Sequence, residues 1–134
     1  MNTRLRAISN FSVTDKCNGR CKMCNIWNTE PRPEPPLEQI EAFLIENKEI
    51  LQDLLFIQLT GGEPFLRYDL PQIVEIVHHA VPSAMIWIPT NGLLPDEILE
   101  STRLMLNKIN GSKLGITVSL DGEAETNDAQ RGVI

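Results

Sequence analysis

Cysteine is nearly missing from this sequence: three of 134 residues, all inside Cys17-Asn-Gly-Arg-Cys21-Lys-Met-Cys24. An odd number packed so tightly builds neither a disulfide framework nor a pair of CxxC knuckles. Histidine is rarer, limited to the adjacent His78 and His79. No cysteine remains, and no histidine lies nearby, to supply the fourth ligand of a closed structural zinc site. No stretch approaches the roughly 18 apolar residues of a membrane span, and the opening MNTRLRAISNF lacks the apolar run of a secretory signal. Basic residues are outnumbered 12 to 18, a net charge of −6, which argues against a grip on nucleic-acid phosphates or an anionic membrane. Unpaired cysteines without a signal predict a reducing cytoplasm. Low-complexity runs and repeated motifs are also absent.

What is present starts with the cysteines themselves. Three thiolates at C-x3-C-x2-C spacing point to one metal centre with a coordination position left for a substrate or cofactor. Thiolates are the usual ligands of iron–sulfur clusters, and zinc is the competing metal.

Along the chain, strand and helix patterns alternate. Ala7 to Thr14 reads as a strand running into the cysteine loop, and Pro31 to Pro36 cannot be helix interior. Leu37 to Ile50 has helical apolar spacing, and Leu54 to Thr60 reads as a buried strand ended by Gly61-Gly62. Asp69 to Val81 predicts a helix capped by Asp69, with Pro71 in its first turn. Ala84 to Thr90 is a third strand, Pro95 to Ile109 a third helix stopped by Asn110-Gly111, and Leu114 to Leu120 a fourth strand. A polar tail with no terminal helix follows. This order predicts βαβ units and a parallel sheet, with Asn91-Gly92 and Asp121-Gly122 as strand-to-crossover turns rather than hairpins. Right-handed crossovers place every strand C-terminus on one rim. There the strands end as SVT-DKC, QLT-GGE, IPT-NG and VSL-DG, the kind of rim that carries active sites in βα barrels.

Thr60-Gly61-Gly62-Glu63-Pro64 offers paired glycines for close backbone approach and a carboxylate for an ammonium group. With the cysteine spacing and the strand endings, the chain resembles the radical S-adenosylmethionine (SAM) enzymes. The match runs from Phe11 to Arg131 and looks closest to the branch holding the molybdenum-cofactor cyclase and peptide-modifying enzymes.

The resemblance implies that Cys17, Cys21 and Cys24 bind three irons of a [4Fe–4S] cluster whose fourth iron chelates SAM. It implies that Gly61, Gly62 and Glu63 take the SAM amino group, that Ser119 contacts SAM, that Thr90 faces SAM or substrate, and that Asp121 borders the same pocket. Met23 stands where the family has an aromatic beside the adenine. Arg131 falls in a segment that is structural or touches substrate. Reductive cleavage of SAM would give a 5′-deoxyadenosyl radical that abstracts hydrogen from an unidentified substrate, a small molecule or peptide. Gln58 replaces an Arg typical of the cyclase, which counts against GTP. A reductant such as ferredoxin or flavodoxin is expected, and the chain reads as part of a larger enzyme through truncation or through a split gene whose second chain completes the barrel.

The expected fold is α/β: a partial (β/α) TIM-type barrel, about four βα units of a six-unit core. Residues 1–134 then form an N-terminal portion of that core. Lys16, Arg20 and Lys22 flank the thiolates and read either as ordinary solvated surface or as cations that offset the cluster's charge. Trp87 reads as barrel packing, and His78 and His79 as residues complementing a helix dipole. A non-catalytic Fe–S electron-transfer module and a small zinc-binding interaction domain are the other readings.

Overall fold

Branched, apolar runs alternating with amphipathic helices resolve as sequence order predicts. The computed structural model describes residues 7–109 and 111–133. Strands β1 (Ala7–Thr14), β2 (Leu54–Gly61), β3 (Met85–Thr90) and β4 (Leu114–Val118) form one sheet in the order β1-β2-β3-β4, every neighbouring pair parallel. Between them run α1 (Leu37–Glu46), the single turn α2 (Lys48–Leu51), α3 (Leu70–Ala80) and α4 (Pro95–Lys108). The predicted stop at Asn110 lies outside the described residues.

Three expectations are corrected. The first helix breaks at Asn47, whose side-chain amide donates to Phe43 O at 2.8 Å and competes with the helical ladder. Asp69 makes no side-chain cap on α3, because Arg67 holds its carboxylate instead. The polar tail is not helix-free: Ala124–Arg131 forms α5, ended by Gly132 in the left-handed region at φ 64°.

The core lies on one face of the sheet. Val13, Ile57, Leu59, Ile86 and Ile88 point to the helices and meet Ile40, Leu44, Leu70, Ile73, Val74, Val77 and Met105. Each fully buried aliphatic side chain contributes about 1.5–3 kcal/mol, so this single layer supplies most of the driving force. Phe11 stacks on Phe43 at 6.0 Å, tying β1 to α1. His78 and His79 stand in the last turn of α3, as expected. Burial lowers the His78 pKa, and its buried Nδ1 has no hydrogen-bond partner among the described residues.

The other face is concave wall. Strand register sets Ile8 beside Phe56 and Met85, Asn10 beside Gln58 and Trp87, Ser12 beside Thr60, and Pro89 beside Thr117. None of these side chains is charged. Trp87 lies over Gly115, where a Cβ would sit 2.4 Å from its ring, while the rest of the indole stays exposed.

Arg67 joins the layers. Only 3% exposed, its guanidinium pairs with Asp69 through Nε at 2.6 Å and Nη2 at 3.0 Å, and it donates to Val13 O and Pro35 O. One buried cation thus pins the end of β1, the proline-rich segment and the start of α3. Arg67→Met leaves a buried carboxylate and two carbonyls without their donor. It is expected to lower unfolding free energy by about 3–5 kcal/mol in urea denaturation.

Candidate functional site

β1 delivers the cysteine loop to the rim, and short-range bonds shape it. Cys24 N–H donates to Cys21 O at 3.2 Å, and Trp27 Nε1 donates to the same oxygen at 3.2 Å. Arg20 Nη1 donates to Cys17 O and Gly19 O, while its guanidinium sits 5.4 Å from the Trp27 ring centroid. Arg20 therefore braces the loop besides carrying charge. The loop folds around Gly19: a Cβ placed there would lie 3.5 Å from Cys21 Sγ and 3.7 Å from Cys17 Sγ. Cys21 is buried, Cys17 half-buried and Cys24 exposed. Burial pushes the Cys17 thiol up, and the negative charges of Glu63, Cys21 and Cys24 add to it. A bound metal reverses that balance by favouring thiolate.

The proline-rich segment is strapped to the loop's entry. Arg32 holds Asp15 through Nε at 2.7 Å and Nη2 at 2.9 Å, lowering the Asp15 pKa to about 2. Thr14 Oγ1 donates to Glu34 at 2.7 Å, and Lys16 pairs with the same carboxylate at 3.2 Å.

β2 delivers the glycine pair, which lines the rim cavity and has a second use within the chain. The glycines approach the chain's own backbone. A Cβ on Gly61 would lie 1.9 Å from Thr14 O, and one on Gly62 would lie 2.0 Å from Lys16 O. At that separation Gly62 N–H donates to Thr14 O and Glu63 N–H donates to Lys16 O, both at 2.8 Å. Gly61 also has φ 127°, a conformation only glycine holds cheaply.

Glu63 is 1% exposed and accepts three hydrogen bonds: Phe65 N–H at 3.2 Å, Thr90 Oγ1 at 2.9 Å and Asn91 N–H at 2.7 Å. All three donors are neutral. Among the described residues no cation pairs with this carboxylate. Thr90, read as a ligand contact, spends its hydroxyl proton on Glu63 and accepts from Gly92 N–H at 3.1 Å.

A cavity of about 200 Å³ joins these parts. Cys17, Cys21, Met23, Cys24, Gly61, Gly62, Glu63, Thr90 and Ser119, all expected at the site, line it. Asp121 does not; it stands outside and pairs with Arg131. The latter lines the cavity together with Thr60 and Asn91. Asn91, overlooked as a mere turn residue, links two rim segments by donating from Nδ2 to Asn18 Oδ1 at 2.7 Å. Among the described residues no three His, Cys, Asp or Glu side chains are gathered so as to hold a single metal ion. Three thiols spread around one cavity suit a multi-iron cluster, whose thiolate ligands surround a larger body.

Gly62→Ala is expected to cost at least about 1–3 kcal/mol, because a methyl group has no place against Lys16 O. Amide exchange at Glu63 would quicken as its bond to the cysteine loop opens.

Comparison with known proteins matches this arrangement to a family. The model of the radical SAM superfamily matches residues 11–121. GTP 3′,8-cyclase of Sulfurovum sp. (strain NBC37-1) is 31% identical over 92% of the chain, and the match covers 37% of that protein. Fe-coproporphyrin III synthase of Methanosarcina barkeri (strain Fusaro / DSM 804) is 32% identical over 92% of the chain and is covered over 29% of its length. The chain thus spans about a third of these relatives. Among solved structures, Streptococcus suis SuiB bound to S-adenosylmethionine superposes at a TM-score of 0.75, with 19% identity over 96% of the chain and 28% of SuiB. SuiB bound to the precursor peptide SuiA gives the same score at 22% identity, over 96% of the chain and 27% of SuiB. The partial α/β barrel is therefore shared with solved enzymes, and members of the matched family use a [4Fe–4S] cluster and SAM. By its sequence match and its fold, this chain belongs to the radical SAM superfamily.

Proposed function

We propose that residues 1–134 form the N-terminal, cofactor-holding portion of a radical SAM enzyme core. Cys17, Cys21 and Cys24 would ligate the [4Fe–4S] cluster, and the cavity beside Glu63 would receive SAM. When bound, the cluster and SAM supply a reductively generated 5′-deoxyadenosyl radical able to abstract hydrogen from a substrate. The chain's own residues hold, orient and shield.

The observation carrying this reading is the buried Glu63 carboxylate, served by neutral donors alone, on a cavity that three thiols also line. A buried carboxylate without a counter-ion is costly. A carboxylate offers about four lone-pair directions, and three hydrogen bonds leave room for the ammonium of an amino acid. Thr90 and Asn91 fix the carboxylate's plane, so it meets that ammonium already oriented. Ser119 and Met23 stand on the same cavity, where the rest of the ligand would lie.

On the substrate, the concave wall speaks against GTP. Asn10, Ser12, Gln58, Thr60, Trp87 and Thr117 present amides, hydroxyls and an indole with no cation for a triphosphate, and Gln58 sits in the middle of that wall. A neutral hydrogen-bonding region of a small molecule or peptide fits it better. Lys16, Arg20 and Lys22 are exposed around the cysteine loop. In a chain of net charge −6, they form a local basic surface suited to an acidic cytoplasmic reductant such as ferredoxin or flavodoxin. Among the described residues no helix is long and apolar enough to cross a membrane.

Anaerobic reconstitution tests the proposal, followed by iron, sulfide and zinc analysis and calorimetric titration with SAM. The expected outcome is iron and sulfide bound in equal amounts, with Cys21→Ala losing both. Glu63→Gln should keep the cluster and weaken SAM roughly tenfold to a hundredfold, the value of a charge-assisted hydrogen bond. Zinc without sulfide would establish a zinc domain instead. A full cluster indifferent to SAM would leave an electron-transfer module.

A further inference from the structure

The last helix is built into the cysteine loop. Helix C-termini leave carbonyls without intrahelical partners and carry partial negative charge. In α5 the loop's own amides satisfy two of them: Arg131 O accepts from Arg20 N–H at 3.1 Å, and Gln130 O accepts from Lys22 N–H at 2.9 Å. Gly132 follows directly, and a Cβ there would lie 2.4 Å from Arg20 O. The residue flanked by these contacts is Arg131, whose side chain is 18% exposed and enters the cavity. Its Nη1 lies 3.9 Å from Cys21 Sγ, within reach of a hydrogen bond to sulfur. Its Nε lies 2.6 Å from Asp121 Oδ2, a close charge contact rather than an aligned hydrogen bond. Asp121 is held in turn, since its backbone N–H donates to Asn127 Oδ1 at 3.1 Å. Asn127 belongs to α5, so helix, carboxylate and guanidinium form one unit.

We propose that Arg131 is a positioning residue of the cluster site: α5 holds its guanidinium within hydrogen-bond reach of the Cys21 sulfur, orienting that ligand and raising the reduction potential of the bound cluster, with Asp121 as its countercharge. The inference rests on Cys21 being a cluster ligand. The sign follows from charge. Reduction adds an electron to an already anionic group, and a cation at the ligand sulfur stabilises the reduced form more than the oxidised one. Hydrogen bonds to sulfur and local charge are among the main determinants of such potentials. A largely buried guanidinium acts through a low local dielectric. An arginine that merely packs α5 would change stability and leave the potential alone.

The test is an EPR-monitored redox titration of the reconstituted chain, comparing wild type with Arg131→Met, Arg131→Lys and Asp121→Asn. Removing the charge in Arg131→Met should lower the midpoint by at least 59 mV, a tenfold shift of a one-electron equilibrium. Arg131→Lys should lie between it and wild type, and Asp121→Asn, which keeps an oxygen beside Arg131 Nε while removing the countercharge, should move the midpoint upward. In the cluster-free chain, hydrogen exchange reads the clamp separately. The Arg20 and Lys22 amides should be protected in wild type and in Arg131→Met, and lose at least tenfold of that protection in Gly132→Ala. An Arg131→Met midpoint equal to wild type overturns the proposal. If that variant takes up no cluster, an unmoved Asp121→Asn midpoint overturns it instead. Unprotected Arg20 and Lys22 amides in wild type also overturn it. A wild-type chain binding neither iron nor sulfide removes the cluster assignment itself, an outcome recognisable from metal analysis alone.

Discussion

Two backbone hydrogen bonds hold the site together: Gly62 to Thr14 and Glu63 to Lys16, each 2.8 Å. They weld the turn after β2 onto the first residues of the cysteine loop, and they form only because neither glycine carries a side chain. The thiols and the buried carboxylate are therefore not two sites that happen to be neighbours. Their spacing is set by main-chain contacts, which are stiffer than any side-chain bridge. Glu63 then passes the constraint to β3 through Thr90 and Asn91. Asn91 returns it to the cysteine loop through Asn18. The circuit closes on itself, so the rim is rigid without a large core beneath it.

That rigidity matters because the sheet is finished on one side only. Its helical face has the packed aliphatic layer, while the opposite face mixes amides, hydroxyls and an indole with Ile8, Phe56, Met85 and Pro89, several of them exposed. A wall of this composition gains little from the hydrophobic effect, and its shape must be imposed from elsewhere. Arg67 helps impose it from the helical side, binding Val13 O next to the loop entry. The Trp87 ring lying on Gly115 does the same between β3 and β4. Stability is thus generated on one face and spent on geometry at the other's rim.

How much of this was legible follows from which forces leave a mark in the residues. The alternation of strands and helices was, because burial on one face forces apolar spacing, and the structure matches it nearly element by element. The three cysteines and Glu63 were legible because scarce or charged residues at a strand end have few bland explanations. The partners of those residues were not. Nothing in Thr60-Gly61-Gly62-Glu63 says that its glycines also pack on Thr14 and Lys16, since that depends on how two strands register. Asp69 carries the signature of a helix cap, yet a guanidinium two residues earlier outcompetes the helix amides for its carboxylate. Asn47 has helical neighbours and still breaks the helix through its own side chain.

The helix α5 is the instructive omission. Ala-Glu-Thr-Asn-Asp-Ala-Gln-Arg has no apolar stripe, so a reading based on hydrophobic period passes over it. The remaining signal was at its end, an Arg in the last turn followed by Gly, which is a helix stop. A helix without an apolar face must be held by something else, and here the cysteine loop takes its terminal carbonyls. The dependence runs both ways: two loop amides, those of Arg20 and Lys22, find their acceptors on α5. A segment with no core of its own is therefore held by the cysteine loop it contacts. A strongly polar stretch can in this way carry a guanidinium that reaches a cysteine sulfur, paired with Asp121 outside the cavity.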